Sequence, residues 1–374
     1  VVPIIPDEAR TFGLDALFKE VKIYAPLGQL YDPVDSKLML SYTESKEGQI
    51  LEEGISEAGG MADFTAAGTA YAAFGQPMIP FFIFYSMFGF QRVGDLIWAL
   101  ADMRGRGFLL GATAGRTTLL GEGLQHDDGH SLLLATTVPN LMAYDPAFAY
   151  ETATIVADGI TRMYGESPED IFYYLTLYNE NYPMPAKPPG SDEGILRGLY
   201  RFAEAPPGPR RRATILFSGT ACQAAKEAQR LLAADHDVAA ELWSVTSYKA
   251  LREDALSVER WNRLHPEDAP RVPYVTDSLS AGEGPIVAVT DFMKAVPDQV
   301  ARWVPGSFTP LGTDGFGRSD TREALRRHFE TDAANVVIAV LDGLRALGDA
   351  KPEEVGEALR RYDIDTEAPD PRSA

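Results

Sequence analysis

Short β-branched and aromatic runs alternate with longer mixed stretches along almost the whole chain, and this alternation predicts an α/β protein. Val2 to Ile5 reads as a buried parallel strand that delivers Asp7, Glu8 and Arg10 at its carboxyl end, where open α/β sheets hold their ligands. Pro80 to Tyr85, Gly107 to Leu110 and Asp170 to Leu175 are strand-like, with helical segments near Arg92 to Arg104 and Ala147 to Tyr164. From Gly48 to Ala73 small residues predominate, among them Ala58, Gly59, Gly60, Ala66 and Gly68. That composition suits helices packed tightly on a sheet or on a partner subunit.

Between Pro183 and Arg212 the periodicity breaks down and seven prolines crowd together, so residues 186–212 are predicted to be a linker between residues 1–185 and a second domain at 213–366. Alternation then resumes. Ala213 to Phe217, Glu241 to Val245 and Pro285 to Thr290 read as strands, Ala221 to Leu232 and Ala333 to Leu347 as helices, the last one stopped near Gly348. Asp320-Thr321-Arg322-Glu323 has the capping-box pattern of a shorter helix. Residues 367–374, with Pro369 and Pro371, are expected to be disordered.

Charge narrows the class of partner. A formal net charge of -20 argues against nucleic acid or an anionic membrane surface as the main partner. No apolar run is long enough for a spanning helix, and the first residues lack the basic flank and cleavage site of a signal peptide, so a cytoplasmic protein is expected. A single cysteine, Cys222, leaves no internal disulfide and too few thiols for a cysteine-based metal site. The chain opens on Val1 rather than Met, which raises the expectation that it belongs to a longer polypeptide.

Two stretches carry the chemistry. Phe84 to Arg92 (FYSMFGFQR) and Gly121 to Ser131 (GEGLQHDDGHS) bring aromatic rings, carboxylates and histidines together at a density that neither a core nor an ordinary surface selects. His126 and His130, four apart with Asp127 and Asp128 between them, have the spacing of metal ligands on a helix face; Gly129 and the flanking glycines oppose a helix there and favour a structural pair. The chain has neither a Gly-x-Ser-x-Gly elbow nor a glycine-rich phosphate loop, and Gly312 to Gly317 reads as a structural turn. What remains is a site rich in carboxylates (Asp7, Glu8, Glu57, Glu122) and aromatics (Tyr85, Phe88, Phe90) without an obvious nucleophile. Such a site suits an organic cofactor that supplies the reactive centre itself.

Pro3 to Gly13, Phe84 to Arg92, Gly115 to Thr118 with Gly121 to Ser131, and Gly312 to Asp320 (GTDGFGRSD) closely resemble the homodimeric type of pyruvate dehydrogenase, the thiamine diphosphate-dependent first component of the pyruvate dehydrogenase complex. The resemblance extends over nearly the whole chain. It implies a transketolase-like architecture, a pyrimidine-binding α/β domain lacking its usual first helix followed by a C-terminal α/β domain. It implies oxidative decarboxylation of pyruvate, with reductive acetylation of a lipoyl group on a dihydrolipoyl acyltransferase and a site at a two-fold dimer interface. The diphosphate and its Mg2+ would be held by a half not present in this chain, either in the same longer polypeptide or in a separate subunit. No metal ligand is expected here, and the chain alone is expected to be inactive.

Carried over by position, the resemblance gives Glu57 the place of the glutamate that hydrogen-bonds N1′ of the aminopyrimidine, and Phe88 that of the ring stacked on it. Tyr85 and His126 match residues that reach the substrate-derived group, Glu122 an acid that orients His126, and Asp7 and Glu8 carboxylates of the active-site charge network. Arg92 matches a residue on a path toward the dimer interface or, equally, a plain ion pair. The alternatives are a split thiamine diphosphate enzyme acting on another 2-oxo acid, by decarboxylation or carboligation, and a non-catalytic assembly subunit. The C-terminal half offers few chemical groups and reads as packing for the dimer and the complex.

Overall fold

Near-continuous apolar runs such as PFFIFY and FLLGA have no polar face to offer water, so they pair in parallel at the centre of a sheet covered on both sides. The computed structural model describes residues 1–6, 11–14, 16–32, 34, 42–119 and 123–374. These residues fall into two units. The first comprises Val1–Ala114, Leu134–Met142 and Ala157–Asn179, and the second Gly115–Leu133, Ala143–Val156 and Glu180–Ala374.

The first unit is built on a six-stranded sheet in the spatial order Leu51–Glu52, Val2–Ile5, Pro80–Tyr85, Phe108–Ala112, Phe172–Thr176, Leu141–Tyr144. Its first five strands run parallel, with Ile4 opposite Phe82, Phe84 opposite Gly111 and Leu110 opposite Leu175. Phe82, Phe84, Phe108, Tyr173 and Tyr174 are completely buried, each burial contributing roughly 1.5–3 kcal/mol. After Val2–Ile5 the chain places Leu51–Glu52 on one side and Pro80–Tyr85 on the other. The strand order therefore reverses there, which makes the carboxyl ends of Val2–Ile5 and Pro80–Tyr85 the expected place for a ligand.

The second unit has a five-stranded sheet in the order Phe308–Leu311, Ile286–Val289, Arg211–Phe217, Val238–Ser244, Tyr200–Ala203. Four strands are parallel and Tyr200–Ala203 is antiparallel. The helices Cys222–Asp235 and Ala333–Leu347 pack on it through Ala225, Ala228 and Leu232 and through Val336, Val337, Val340, Leu341 and Leu344. Ala333–Leu347 begins where Asp332 accepts from Asn335 N at 2.9 Å and ends at Gly348, whose φ of 86° a side chain would oppose. Here the order reverses between Arg211–Phe217 and Ile286–Val289.

One expectation differs from what is observed. Residues 186–212 are not a bare linker: the prolines flank the helix Asp192–Arg197 and the strand Tyr200–Ala203, where Ile195, Leu199 and Tyr200 are buried. The apolar side chains between the prolines suffice to hold that segment on the sheet. Residues 370–373 form a turn, Ser373 N donating to Asp370 O at 2.9 Å, with Pro371 against Gly315. Among the described residues no helix is long and apolar enough to cross a membrane.

Candidate active site

In the first unit the site residues are placed by two strand-to-helix transitions. Strand Pro80–Tyr85 turns directly into the helix Ser86–Asp102, with Tyr85 extended at the N-cap (φ -61°, ψ 123°). Gly89 lets this helix lie on its own strand, because a Cβ there would collide with the ring of Phe84. The helix is kinked at Val93 (φ -127°, ψ 21°), so the predicted helical segment near Arg92 to Arg104 corresponds to the part beyond the kink, and residues Ser86 to Arg92 of the aromatic run form the helical part before it. Glu57 opens the helix Glu57–Phe74, capped by Ser56 Oγ, which accepts from Gly59 N at 3.1 Å. A Cβ on Gly60 would stand 2.5 Å from the ring of Phe82, so the first turn is seated directly on the central strand.

These elements bring Glu57, Tyr85, Phe88 and Arg92 together. Glu57 is buried, at 7% exposure, which sets aside a plain solvent-facing glutamate. Its Oε2 accepts from Arg92 Nη1 at 2.9 Å. The Arg92 guanidinium lies 3.9 Å above the centroid of Phe88, the geometry of a cation–π contact. Phe88 in turn meets Tyr85 edge to face at 5.9 Å, and Tyr85 meets Phe12 at 5.1 Å. One flat, nitrogen-rich cation is therefore held between a buried carboxylate and an aromatic face.

His126 belongs to the second unit and ends a short 3-10 turn, Leu124–His126. The segment that carries it is closed at its base by a bridge between Gly115 and Asp128. Asp128 is fully buried, and its Oδ1 accepts from His130 N and Ser131 N, both at 2.9 Å. Asp128 Oδ2 takes the Ser131 hydroxyl. His130 is thus part of a turn that starts the helix Ser131–Ala135.

A buried cation braces this segment. Arg116 donates to Thr313 O and lies among the carboxylates of Asp127, Asp128, Asp291 and Asp314; burial pulls its pKa down, and those carboxylates pull it back up. Gly129 is pressed against it, since a Cβ would stand 2.5 Å from the guanidinium carbon. Asp291 accepts from Thr117 N at 3.3 Å. Burial pushes its pKa up to about 7, against the pull of Arg326 and of the hydrogen bonds from Thr117 and the Arg116 backbone. Gly317 leaves space for Asp127, whose side chain a Cβ there would strike.

Asp7, Glu8 and Glu122 lie outside the described residues. Among the described residues no group of histidine, cysteine, aspartate and glutamate side chains is arranged to hold a metal ion. Sequence reading missed Arg116, Asp291 and Arg326. Only the position of Asp291 had a local signal, since Thr290-Asp291 follows the apolar run IVAV just as Asp7 and Glu8 follow VPII, and its pairing with Arg116 and Arg326 had none.

Known proteins agree with this architecture. Residues 1–185 match the pyruvate dehydrogenase E1 component middle domain, and residues 198–332 match the transketolase-like C-terminal domain. A transketolase from Pichia stipitis shares the fold with a TM-score of 0.65 at 14% identity, over 94% of this chain and 44% of that one. A split-gene transketolase does so with a TM-score of 0.58 at 18% identity, over 90% of this chain and 97% of that one. The fold is transketolase-like. The pyruvate dehydrogenase E1 component of Mycobacterium tuberculosis is 57% identical over 372 residues, 99% of this chain and 40% of the relative. That of Escherichia coli is 50% identical over 375 residues, 100% of this chain and 42% of the relative. The chain belongs to the pyruvate dehydrogenase E1 component family, and it spans about two fifths of the length of these curated relatives.

Proposed function

We propose that this chain forms the pyrimidine-holding side of a thiamine diphosphate site in an enzyme that oxidatively decarboxylates pyruvate and acetylates the lipoyl group of a dihydrolipoyl acyltransferase. The observation that carries this reading is the arrangement of Glu57, Arg92 and Phe88. A guanidinium is a planar amidine-type group, and here it donates to a buried carboxylate while lying on an aromatic ring. An aminopyrimidine is also flat and also presents amidine nitrogens, so the donor set and the ring face fit it. When bound, the cofactor supplies a carbon nucleophile for the 2-oxo acid and a sink for the electron pair left by carbon dioxide.

The side chains do the rest. Glu57 holds a proton at N1′ of the aminopyrimidine, and Phe88 supplies a stacking face worth roughly 0.5–1.5 kcal/mol beyond burial. Tyr85 and His126 hydrogen-bond the oxygens of the substrate as charge moves onto them, and Glu122 orients His126. Asp7 and Glu8 complete the charge network. Pyruvate loses its carboxylate as carbon dioxide, and two electrons reduce the lipoyl disulfide; one sulfur takes the acetyl group and the other a proton. The diphosphate and Mg2+ are held by residues outside this sequence, in the same polypeptide or a second subunit, and the enzyme is a cytoplasmic two-fold dimer. Residues 1–185 form the pyrimidine-binding domain and residues 213–366 the C-terminal domain.

In the complete enzyme, Glu57→Ala is expected to lower turnover by about 10²-fold or more and to slow exchange of the cofactor's C2 proton with deuterium. Unchanged C2 exchange would refute the role given to Glu57. A panel of 2-oxo acids assayed with a lipoyl acceptor tests the substrate, and a preference for a branched or longer acid over pyruvate would move the reading to another 2-oxo acid.

A further inference from the structure

The carboxyl ends of parallel strands, above all where the strand order reverses, are where open α/β sheets bind ligands. In the second unit that position lies between Arg211–Phe217 and Ile286–Val289, where Ser218 Oγ and Thr290 Oγ1 are 3.0 Å apart. Two stretches of the chain's own backbone fill it. Asp145 N donates to Thr246 O at 2.7 Å, Gly219 N to Asp145 O at 3.3 Å, and Ser247 Oγ to Ala143 O at 2.6 Å. Beside them, Met293 N donates to Gly129 O at 2.8 Å and Thr117 N to Asp291 Oδ2 at 3.3 Å.

Two arginines of the helix Arg322–His328 reach the same segment from its solvent side. Arg322 Nε donates to Thr118 O at 2.7 Å. Arg326 Nε donates to Thr117 Oγ1 at 3.3 Å, and its other nitrogens hold Glu180, one of them at 3.2 Å. Thr117 and Thr118 are buried, while both arginines are only partly so. A guanidinium fork fixed on a carboxylate at one end and on the segment at the other is a rigid brace.

We infer that the second sheet binds the Gly115–Leu133 segment as its resident ligand, and that Arg322 and Arg326 are positioning residues that fix His126 through Thr117 and Thr118. The helix Arg322–His328 then contributes to the reaction without touching the substrate. Its importance to catalysis rests on the role given to His126 above, whereas the brace itself does not.

The test is amide hydrogen exchange on the full-length protein carrying Arg322→Met with Arg326→Met, beside the Arg322→Lys, Arg326→Lys pair. Both arginines are partly exposed, so the unit should fold in either variant. The expected result is exchange faster by about 10-fold or more in peptides spanning 115–119 and 123–131 of the Met variant, with the strands Arg211–Phe217 and Val238–Ser244 unchanged. The Lys variant, which keeps one donor at each site, should restore most of the protection. Unchanged exchange in 115–131, or equal acceleration throughout the strands, would overturn the brace. Pyruvate turnover in the complete enzyme should fall and recover with protection. A loosened segment with undiminished turnover would uphold the brace and overturn the role of His126.

Discussion

A carboxylate shut off from water must have its charge answered within a few ångströms or else keep its proton, and Asp291 stands between these outcomes. Arg326 and the Thr117 N–H favour its charged form, but burial outweighs them and its pKa rises from 3.8 to about 7. The native protein therefore retains a proton that the unfolded chain releases between pH 4 and 7. Stability from this group is greatest below about pH 4, falls as pH rises through that window, and levels off above it. Asp291→Asn removes the titration while leaving an acceptor for Thr117 N. The unfolding free energy of the variant, read from urea titrations, should gain on that of the wild type by about 2–3 kcal/mol on moving from pH 5 to pH 8. Parallel pH dependence in the two proteins would show that Asp291 does not titrate there.

At the scale of elements, the helix Glu57–Phe74 shows how a small residue sets the place of Glu57. Gly60 touches the ring of Phe82, which is fully buried and has no free direction in which to move. Gly60→Ala should cost about 1–3 kcal/mol in denaturant unfolding, by overpacking. It should also weaken cofactor binding, because Glu57 shares that first turn. Gly94 on the neighbouring helix has nothing within 4 Å of its Cβ position, so Gly94→Ala should instead stabilise by roughly 0.5–1 kcal/mol. Equal effects at the two glycines would remove the argument from close packing. The strands at both sheet centres were readable because burial on two faces demands unbroken apolar runs, and Ala333–Leu347 because its cap and stop residues frame a regular apolar stripe. Helix Tyr248–Leu264 escaped notice: only Tyr248, Leu251 and Ala255 of its apolar side chains are buried, too few to stand out among its charges.

For the whole molecule, the residues proposed to face the cofactor were more legible in the sequence than those beneath the second segment. Glu57, Tyr85 and Phe88 sit within short motifs, which a local reading can single out. Arg116, Asp291 and Arg326 come together only through tertiary pairing of residues about 170 to 210 apart in the chain, which no local pattern reports. The division into units carries the same lesson. Passage from one to the other occurs after Ala114, Leu133, Met142, Val156 and Asn179. A fragment of residues 186–374 would lack both stretches that cover the carboxyl ends of the second sheet, and with them the partners of Thr246, Ser247 and Asp291. It is expected to melt without a cooperative calorimetric transition, whereas a fragment as heat-resistant as the intact chain would show those stretches to be dispensable.

The interleaving bears on how such a protein can be divided or rebuilt. The proline-rich stretch looks like the natural place to cut, yet severing the polypeptide there would part the sequence without parting the structure. The N-terminal half would carry away pieces that the second unit needs in order to be whole. Exchange of a C-terminal half between relatives should therefore succeed only when the two short borrowed stretches travel with it.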